Sequence, residues 1–98
     1  MISLYFDEDG KINYRCSPEK TPLNFLLIAV GLCLGNEIEV IGKQKAFKKI
    51  ELHFGNNTIK ITCICKEEGI DCFTKAANSC YILKNLKFNS EVSFSDIF

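Results

Sequence analysis

The sequence lacks an excess of charge of either sign, because its 12 lysines and arginines are matched by 12 aspartates and glutamates. A neutral chain does not create the field that draws in a nucleic acid or an anionic membrane surface. The sequence also lacks an unbroken apolar run of the roughly 20 residues that cross a bilayer, and no basic segment precedes an apolar run at its amino end. We therefore expect a soluble, cytoplasmic protein whose partners include neither nucleic acid nor membrane.

Several signatures of catalysis and metal binding are missing as well. The sequence has no glycine-rich phosphate loop, no G-x-S-x-G and no carboxylate pair at catalytic spacing. Its six cysteines do not form the paired C-x-x-C of structural zinc sites, and the single histidine, His53, stands among the polar residues of a predicted strand. We expect no metal ion and no cofactor, and we interpret His53 as a solvated strand residue. Thiol chemistry is the catalytic possibility that remains.

The cysteines are numerous for a chain of this kind. The chain has 98 residues, 47% of them hydrophobic, which is enough for one core and too few for two. A disulfide scaffold is usually smaller, richer in loops and secreted. We therefore predict a single domain, residues 1–98, with reduced cytosolic thiols.

The segment T-P-L-N-F-L-L-I-A-V-G-L-C-L-G, residues 21–35, predicts a central helix. Thr21 is a good N-cap, and Pro22 suits the first helical position because its missing N–H is not needed there. Gly42 is a plausible stop after Ile41. Since nearly every residue from 23 to 34 is apolar, we expect protein to bury this helix on all sides. The helix carries one thiol, Cys33.

Alternating apolar and polar residues predict two β-hairpins, one over residues 2–16 and one over residues 50–65. From about Glu67 to Leu83 the apolar spacing becomes helical, and Phe88, Val92 and Phe94 then predict a closing strand. The predicted fold is α+β, with two antiparallel hairpins and a last strand packed with a buried central helix and a second helix. One face of the sheet covers the core, and the other faces water or a partner.

Helix and strand geometry limits which thiols can meet. Cys72 and Cys80 lie eight residues apart on the predicted second helix, a rise of about 12 Å that no disulfide spans. Cys63 and Cys65 project in parallel from one strand at about 6.6 Å and are poor partners. Cys33 lies on another element, so either Cys72 or Cys80 could pack against it. The alternative for each cysteine is a small core residue, which we favour for four of them: Cys16, Cys63, Cys65 and Cys72.

Cys33 has no local source of activation. A reactive thiol needs a nearby cation, hydrogen-bond donors or a helix N-terminus, and Cys33 is about twelve residues into its helix, where the dipole no longer helps. A side chain from elsewhere in the fold or from another subunit would have to activate the Cys33 thiol. Gly31 and Gly35 leave room beside Cys33 for a close neighbour or a substrate.

The order of the elements and two local patterns resemble the osmotically inducible protein C and organic hydroperoxide resistance (OsmC/Ohr) family. In that family a peroxidatic cysteine follows the proline of the central helix by eleven residues, as Cys33 follows Pro22 in T-P-L-N-F-L-L-I-A-V-G-L-C. The segment A-A-N-S-C-Y-I-L-K-N-L-K-F-N-S-E-V-S-F is similar to the family's helix with the resolving cysteine, here Cys80, and its final strand. The resemblance covers residues 9 to 94.

The resemblance implies a two-layer OsmC-like domain that forms a homodimer with its thiol sites at the interface. It also implies a peroxiredoxin-type mechanism for apolar hydroperoxides. Cys33 would be oxidised to a sulfenic acid, Cys80 would condense with it to a disulfide, and an external dithiol would reduce both.

Two differences from the family motif define an alternative function. Leu23 stands where the peroxidases have the glutamate that helps to hold the cysteine as a thiolate, and the family's arginine before the first hairpin turn is absent. A peroxidase would then need Arg15 or a lysine from a partner chain as a substitute cation. The alternative is a catalytically inactive OsmC-like dimer that binds a small ligand or senses redox state.

Overall fold

The computed structural model describes residues 1–86 and 89–96, and the elements within them confirm the α+β class and the predicted order. Phe88, which we expect in the closing strand, lies outside the described residues. The strands are β1 (Ile2–Phe6), β2 (Ile12–Cys16), β3 (Phe47–Gly55), β4 (Thr58–Cys65) and β5 (Asn89–Ser95), and the helices are α1 (Pro22–Ile41), α2 (Glu67–Ser79) and α3 (Tyr81–Lys84).

The five described strands form one sheet in the order β2-β1-β3-β4-β5. Strands β1 and β2 form the first predicted hairpin and β3 and β4 the second, and β1 also pairs antiparallel with β3. Strand β5 runs parallel to β4, because the chain crosses over through α2 and α3 before it returns to the sheet. The sheet is therefore mixed.

The two hairpin turns are built by residues suited to left-handed backbone. Gly10 has a φ of 83°, and Asn56 and Asn57 have φ values of 52° and 59°, the pattern of a type I′ turn. In the first turn the Asp7 carboxylate accepts the backbone N–H groups of Asp9 and Lys11 at 2.9 and 2.8 Å. Local sequence thus determines both hairpins.

Helix α1 begins and ends where the sequence predicts. The Thr21 hydroxyl accepts the N–H of Asn24 at 3.2 Å, and Gly42, with a φ of 82°, donates its N–H to the Ile38 carbonyl. The Asn24 side chain is buried and fully bonded, since its amide donates to the carbonyls of Ser17 and Glu19 at 3.1 and 2.7 Å. These contacts fix the start of α1 against the end of the first hairpin.

The prediction that protein buries α1 on all sides does not hold within a single chain. One face packs in the core, but on the opposite face Phe25, Leu32 and Val40 are 56%, 47% and 75% exposed. The reason is that the fold has two layers: α1 contacts the sheet, α2 and α3, and residues 1–86 and 89–96 form no further layer that covers the outer face. By length and composition α1 could cross a membrane, but this is weak evidence because core helices of soluble proteins pass the same test. The compact shape, with a radius of gyration of 12.4 Å, is that expected of a soluble domain.

The second predicted helix is interrupted at Cys80. Helix α2 ends at Ser79, Cys80 has extended backbone with φ −75° and ψ 104°, and α3 starts at Tyr81. The Cys80 sulfur accepts the N–H of Leu83 at 3.4 Å and so caps α3. The apolar spacing continues across the interruption, and for this reason periodicity alone does not reveal it.

The two glycines flanking Cys33 face the sheet. A Cβ on Gly31 would lie 2.8 Å from Cδ1 of Ile2, and a Cβ on Gly35 would meet the hydroxyl of Tyr14 and lie 3.2 Å from Cδ2 of Leu4. The space beside these glycines is therefore filled by β1 and β2, and the close neighbour is the first hairpin. A substrate beside Gly31 and Gly35 is not compatible with this packing.

We predict that Gly35→Ala destabilises the protein, because the added methyl would collide with Tyr14 and Leu4. Such overpacking costs about 1–3 kcal/mol, offset in part by the roughly 1 kcal/mol by which alanine exceeds glycine in helix propensity. Urea denaturation should show a lower free energy of unfolding, and Tyr14→Phe should recover part of it in the double variant. Gly55→Ala is the matched control, since its Cβ would meet only the mobile end of Lys60. A Gly35→Ala protein as stable as the wild type would contradict the close approach.

Candidate functional site

The structure brings Cys33 and Cys80 together. Cys33 lies close enough to Cys80 to raise the pKa of the Cys80 thiol; Cys33 is in the middle of α1, and Cys80 is at the junction of α2 and α3. Of the two partners that the sequence allows for Cys33, Cys80 is the one in contact. Cys72 lies in a separate group of thiols.

The two cysteine residues differ in their exposure to solvent. Cys33 is half-buried at the border of the core, whereas Cys80 is 0% exposed. A small molecule can therefore reach Cys33 directly, but it can reach Cys80 only after the protein moves. The pair combines an accessible thiol with an enclosed one.

Backbone hydrogen bonds on both sides hold Cys80 in place. Its N–H donates to the carbonyl of Ala77 at 3.3 Å, and its carbonyl accepts the N–H of Lys84 at 2.9 Å. Its sulfur accepts the N–H of Leu83 at 3.4 Å, and the backbone of Ile82 also lowers the pKa of the thiol. The side chain is thus directed toward α1 by the short extended connection between the two helices.

Burial is the main reason why the pKa of Cys80 rises to about 11, and the interaction with Cys33 raises it further. The backbone of Leu83 and of Ile82 acts in the opposite direction and lowers it. The net effect keeps Cys80 protonated at neutral pH. A protonated thiol is a poor nucleophile, so Cys80 is not suited to attack a substrate first. It is suited to react afterwards with an oxidised Cys33, giving up its proton and bonding through its sulfur.

The side chains around the pair offer little local activation. Leu23 lies ten residues before Cys33 on α1, an axial rise of about 15 Å. Arg15 is on β2, where its guanidinium stacks 5.6 Å from the ring centre of Tyr5. Because the adjacent Tyr14 packs against Gly35 of α1, Arg15 projects from the other face of the sheet. Arg15 of the same chain is therefore not the substitute cation.

Three of the remaining cysteines confirm the core interpretation. Cys63, Cys65 and Cys72 are buried on β4 and α2. Burial raises the pKa of all three, so they stay protonated and unreactive. For Cys16 the core interpretation is wrong, since this residue ends the edge strand β2 and is exposed.

His53 is not the solvated strand residue that we predict from sequence. It is half-buried, and its Nδ1 is buried without a hydrogen-bond partner among residues 1–86 and 89–96. It lines a cavity of about 270 Å³ near the start of α1, together with Thr21, Asn24 and Leu27. Within the same described residues, no three His, Cys, Asp or Glu side chains are grouped so that they could hold a metal ion.

Part of this site has no signal in the sequence. The groups that contact the Cys80 sulfur include the backbone N–H of Leu83, and a backbone donor carries no residue-type signature. Such donors depend on the interruption at Cys80. An interruption of this kind would be visible in a sequence only if proline or glycine marked it.

Comparison with known proteins yields fold similarity alone. The chain matches no known protein family and no curated protein. It is similar in structure to a hypothetical protein from Aquifex aeolicus VF5, with a TM-score of 0.62 and 16% sequence identity over 99% of this chain and 95% of that one. The likeness shows that this two-layer α+β arrangement occurs in a solved structure.

We predict that Cys80 gives the stability of the fold a dependence on alkaline pH. The ordinary pKa of its thiol is 9.0 and burial raises it to about 11, so the unfolded chain loses this proton first as the pH rises. The contribution is complete below 9.0 and is lost as the pH approaches about 11. Urea denaturation of wild type and Cys80→Ala at about pH 8 and about pH 10.5 isolates the contribution of Cys80 to the free energy of unfolding. Lysines and tyrosines titrate in both proteins, so their effects cancel in the comparison. The difference in free energy of unfolding between wild type and Cys80→Ala should be smaller at the higher pH. An unchanged difference would contradict the raised pKa.

Proposed function

We propose that this protein is a cytoplasmic thiol-dependent peroxidase that reduces organic hydroperoxides, with an OsmC/Ohr-like fold. The contact between an accessible Cys33 and an enclosed Cys80 carries the proposal. A peroxidase of this type needs one thiol that the peroxide can reach and a second thiol that waits beside it without reacting. The sequence motif around Pro22 and Cys33 supports the same assignment.

In the first step the Cys33 thiolate attacks the terminal oxygen of the hydroperoxide. The O–O bond breaks, the sulfur becomes a sulfenic acid, and the organic oxygen leaves as an alcohol after it takes up a proton. Cys33 is the nucleophile because it is the only residue of the pair that is partly exposed. The apolar side chains of Leu32 and Tyr81, both exposed, favour an organic rather than a charged peroxide.

In the second step Cys80 condenses with the sulfenic acid. The Cys80 sulfur forms a bond to the Cys33 sulfur, and the hydroxyl leaves as water with the proton that Cys80 gives up. The two cysteines are close enough for Cys33 to raise the pKa of Cys80, and this proximity supports condensation between them. An external dithiol then reduces the disulfide and is itself oxidised to a disulfide.

A second copy of the chain completes the site. The exposed apolar residues Phe25, Leu32 and Val40 recur at intervals of seven and eight, which places them on one stripe of α1. An apolar stripe of this kind marks a protein interface. Cys33 follows Leu32 by a rotation of about 100° around the helix axis and so lies at the border of the stripe. A partner docked there is positioned to supply the cation that Arg15 does not supply within one chain.

The second candidate function is a dimeric redox sensor or ligand-binding protein with the same fold. Two observations favour it: Leu23 replaces the activating carboxylate, and Arg15 lies on the far face of the sheet. In this case the Cys33–Cys80 pair would oxidise slowly, without turnover. The rate of reaction with a hydroperoxide separates the two functions.

We predict that Cys33→Ser abolishes the consumption of cumene hydroperoxide in the presence of excess dithiothreitol, because it removes the nucleophile. In the absence of dithiothreitol, Cys80→Ser should instead react once at the wild-type rate and then accumulate a sulfenic acid that dimedone traps. Cys16→Ser is the matched control, since Cys16 is exposed but remote from the pair, and it should retain full activity. Stopped-flow kinetics measures all three variants.

Equal peroxide consumption by Cys33→Ser and wild type would rule out the peroxidase. A slow wild-type reaction that stops at the Cys33–Cys80 disulfide would favour the sensor.

We predict that Leu32→Glu converts the dimer into a monomer, because it places two charges in an apolar contact. Sedimentation velocity should show a dimer for wild type and a monomer of unchanged circular dichroism for the variant. Ile70→Glu is the matched control: Ile70 is a comparably exposed apolar residue on α2, away from the stripe, and this variant should remain dimeric. A wild-type monomer at micromolar concentration would exclude this interface.

A further inference from the structure

We propose that an external thiolate opens the Cys33–Cys80 disulfide by attacking the sulfur of Cys33, with Cys80 as the leaving group. The inference rests on the proposed function, because it concerns the step that returns the oxidised site to its dithiol form. It assigns the position at which the reductant binds and the cysteine that carries the mixed disulfide.

Access favours Cys33. A thiolate must touch the sulfur that it attacks, and it approaches from the side opposite to the bond that breaks. Cys80 is 0% exposed and belongs to the buried core, so protein closes every path to its sulfur. Cys33 is half-buried and lies at the border of the stripe formed by Phe25, Leu32 and Val40, beside the proposed partner rather than beneath it. A reductant that reaches the Cys33 sulfur meets it on the side opposite to Cys80, which is the direction that displacement of Cys80 requires.

A hydrogen-bond donor favours the same direction of cleavage. Attack on Cys33 expels Cys80 as a thiolate, and the N–H of Leu83 already lies 3.4 Å from that sulfur. The backbone of Ile82 also lowers the pKa of this thiol. Attack on Cys80 would instead expel the thiolate of Cys33. In the middle of α1 the backbone N–H groups are used in hydrogen bonds within the helix, so none is free to stabilise that charge.

The mixed disulfide on Cys33 makes Cys80 easier to release as a thiolate. In the dithiol form the interaction with Cys33 contributes to the raised pKa of Cys80. Once Cys33 carries the reductant as a mixed disulfide it has no thiol, and this interaction no longer favours protonated Cys80. The donor from Leu83 and the effect of the Ile82 backbone remain. Cys80 is therefore a better leaving group in this step than the resting site alone would indicate.

The chemistry balances with a dithiol as the reductant. Its first thiolate bonds to the Cys33 sulfur while the Cys33–Cys80 bond breaks, and the electron pair and then a proton go to Cys80. Its second thiolate attacks its own first sulfur in the mixed disulfide, which releases Cys33. The site gains two electrons and two protons, and the dithiol leaves as a disulfide.

A brief reaction with a monothiol tests the assignment, because a monothiol cannot complete the second exchange within its own molecule. The Cys33–Cys80 disulfide is formed with diamide, which makes the test independent of peroxidase activity. The oxidised protein is mixed with mercaptoethanol for a short time, quenched with acid, alkylated and mapped by peptide mass spectrometry. We expect at least about tenfold more mercaptoethanol on Cys33 than on Cys80, with Cys80 recovered as the free thiol.

The same oxidised protein in urea is the matched control. Unfolding exposes both sulfurs, so the adduct should distribute about equally between them, and the contrast with the folded protein measures the effect of the fold. An adduct mainly on Cys80, or an equal distribution in the folded protein, would overturn the inference.

The outcomes separate this inference from the proposed function. If diamide forms the disulfide but a hydroperoxide does not, the peroxidase fails and the adduct position still decides the inference. If the hydroperoxide forms the disulfide but the adduct lies on Cys80, the peroxidase stands and the inference fails. If neither oxidant joins Cys33 to Cys80, both are overturned.

Discussion

The close approach of α1 to the first hairpin determines the geometry of the site. Gly31 and Gly35 let the helix backbone rest against Ile2 and Tyr14, and this contact fixes the rotation of α1 about its axis. Cys33 lies two residues from each glycine, a rotation of about 200°. It therefore projects away from the hairpin and toward the junction of α2 and α3. A larger residue at either glycine would change the direction of the thiol as well as the packing.

The second constraint is the interruption of the helical chain at Cys80. If the helix continued through Cys80, the N–H of Leu83 would donate to a backbone carbonyl of the preceding turn and would not be available to the Cys80 sulfur. The extended connection instead directs the side chain into the core beside α1 and leaves the Leu83 N–H for the sulfur. The enclosed thiol, its raised pKa and its backbone donor all follow from this local departure from the helix.

The sequence predicts those parts of the fold that depend on local signals. Thr21, Pro22 and Gly42 define α1 because caps act within one turn, and alternation defines the hairpins because a strand exposes one face. The exposed outer face of α1 was not predictable in this way, since apolar composition does not reveal how many layers a fold has. The choice of Cys80 over Cys72 and the exposure of Cys16 also depend on tertiary contacts. Both require knowledge of where the chain turns and which strand lies at the edge.

The central claim is that a hydroperoxide converts Cys33 and Cys80, and no other thiols, into a disulfide. The most direct test is to treat the reduced protein with one equivalent of an organic hydroperoxide and to map its cysteines by peptide mass spectrometry. The predicted result is one peptide pair joined through Cys33 and Cys80, with the loss of two hydrogen atoms and the other four cysteines free. Persistent sulfenic acid on Cys33, a disulfide that involves Cys63, Cys65 or Cys72, or six unmodified thiols would contradict the claim.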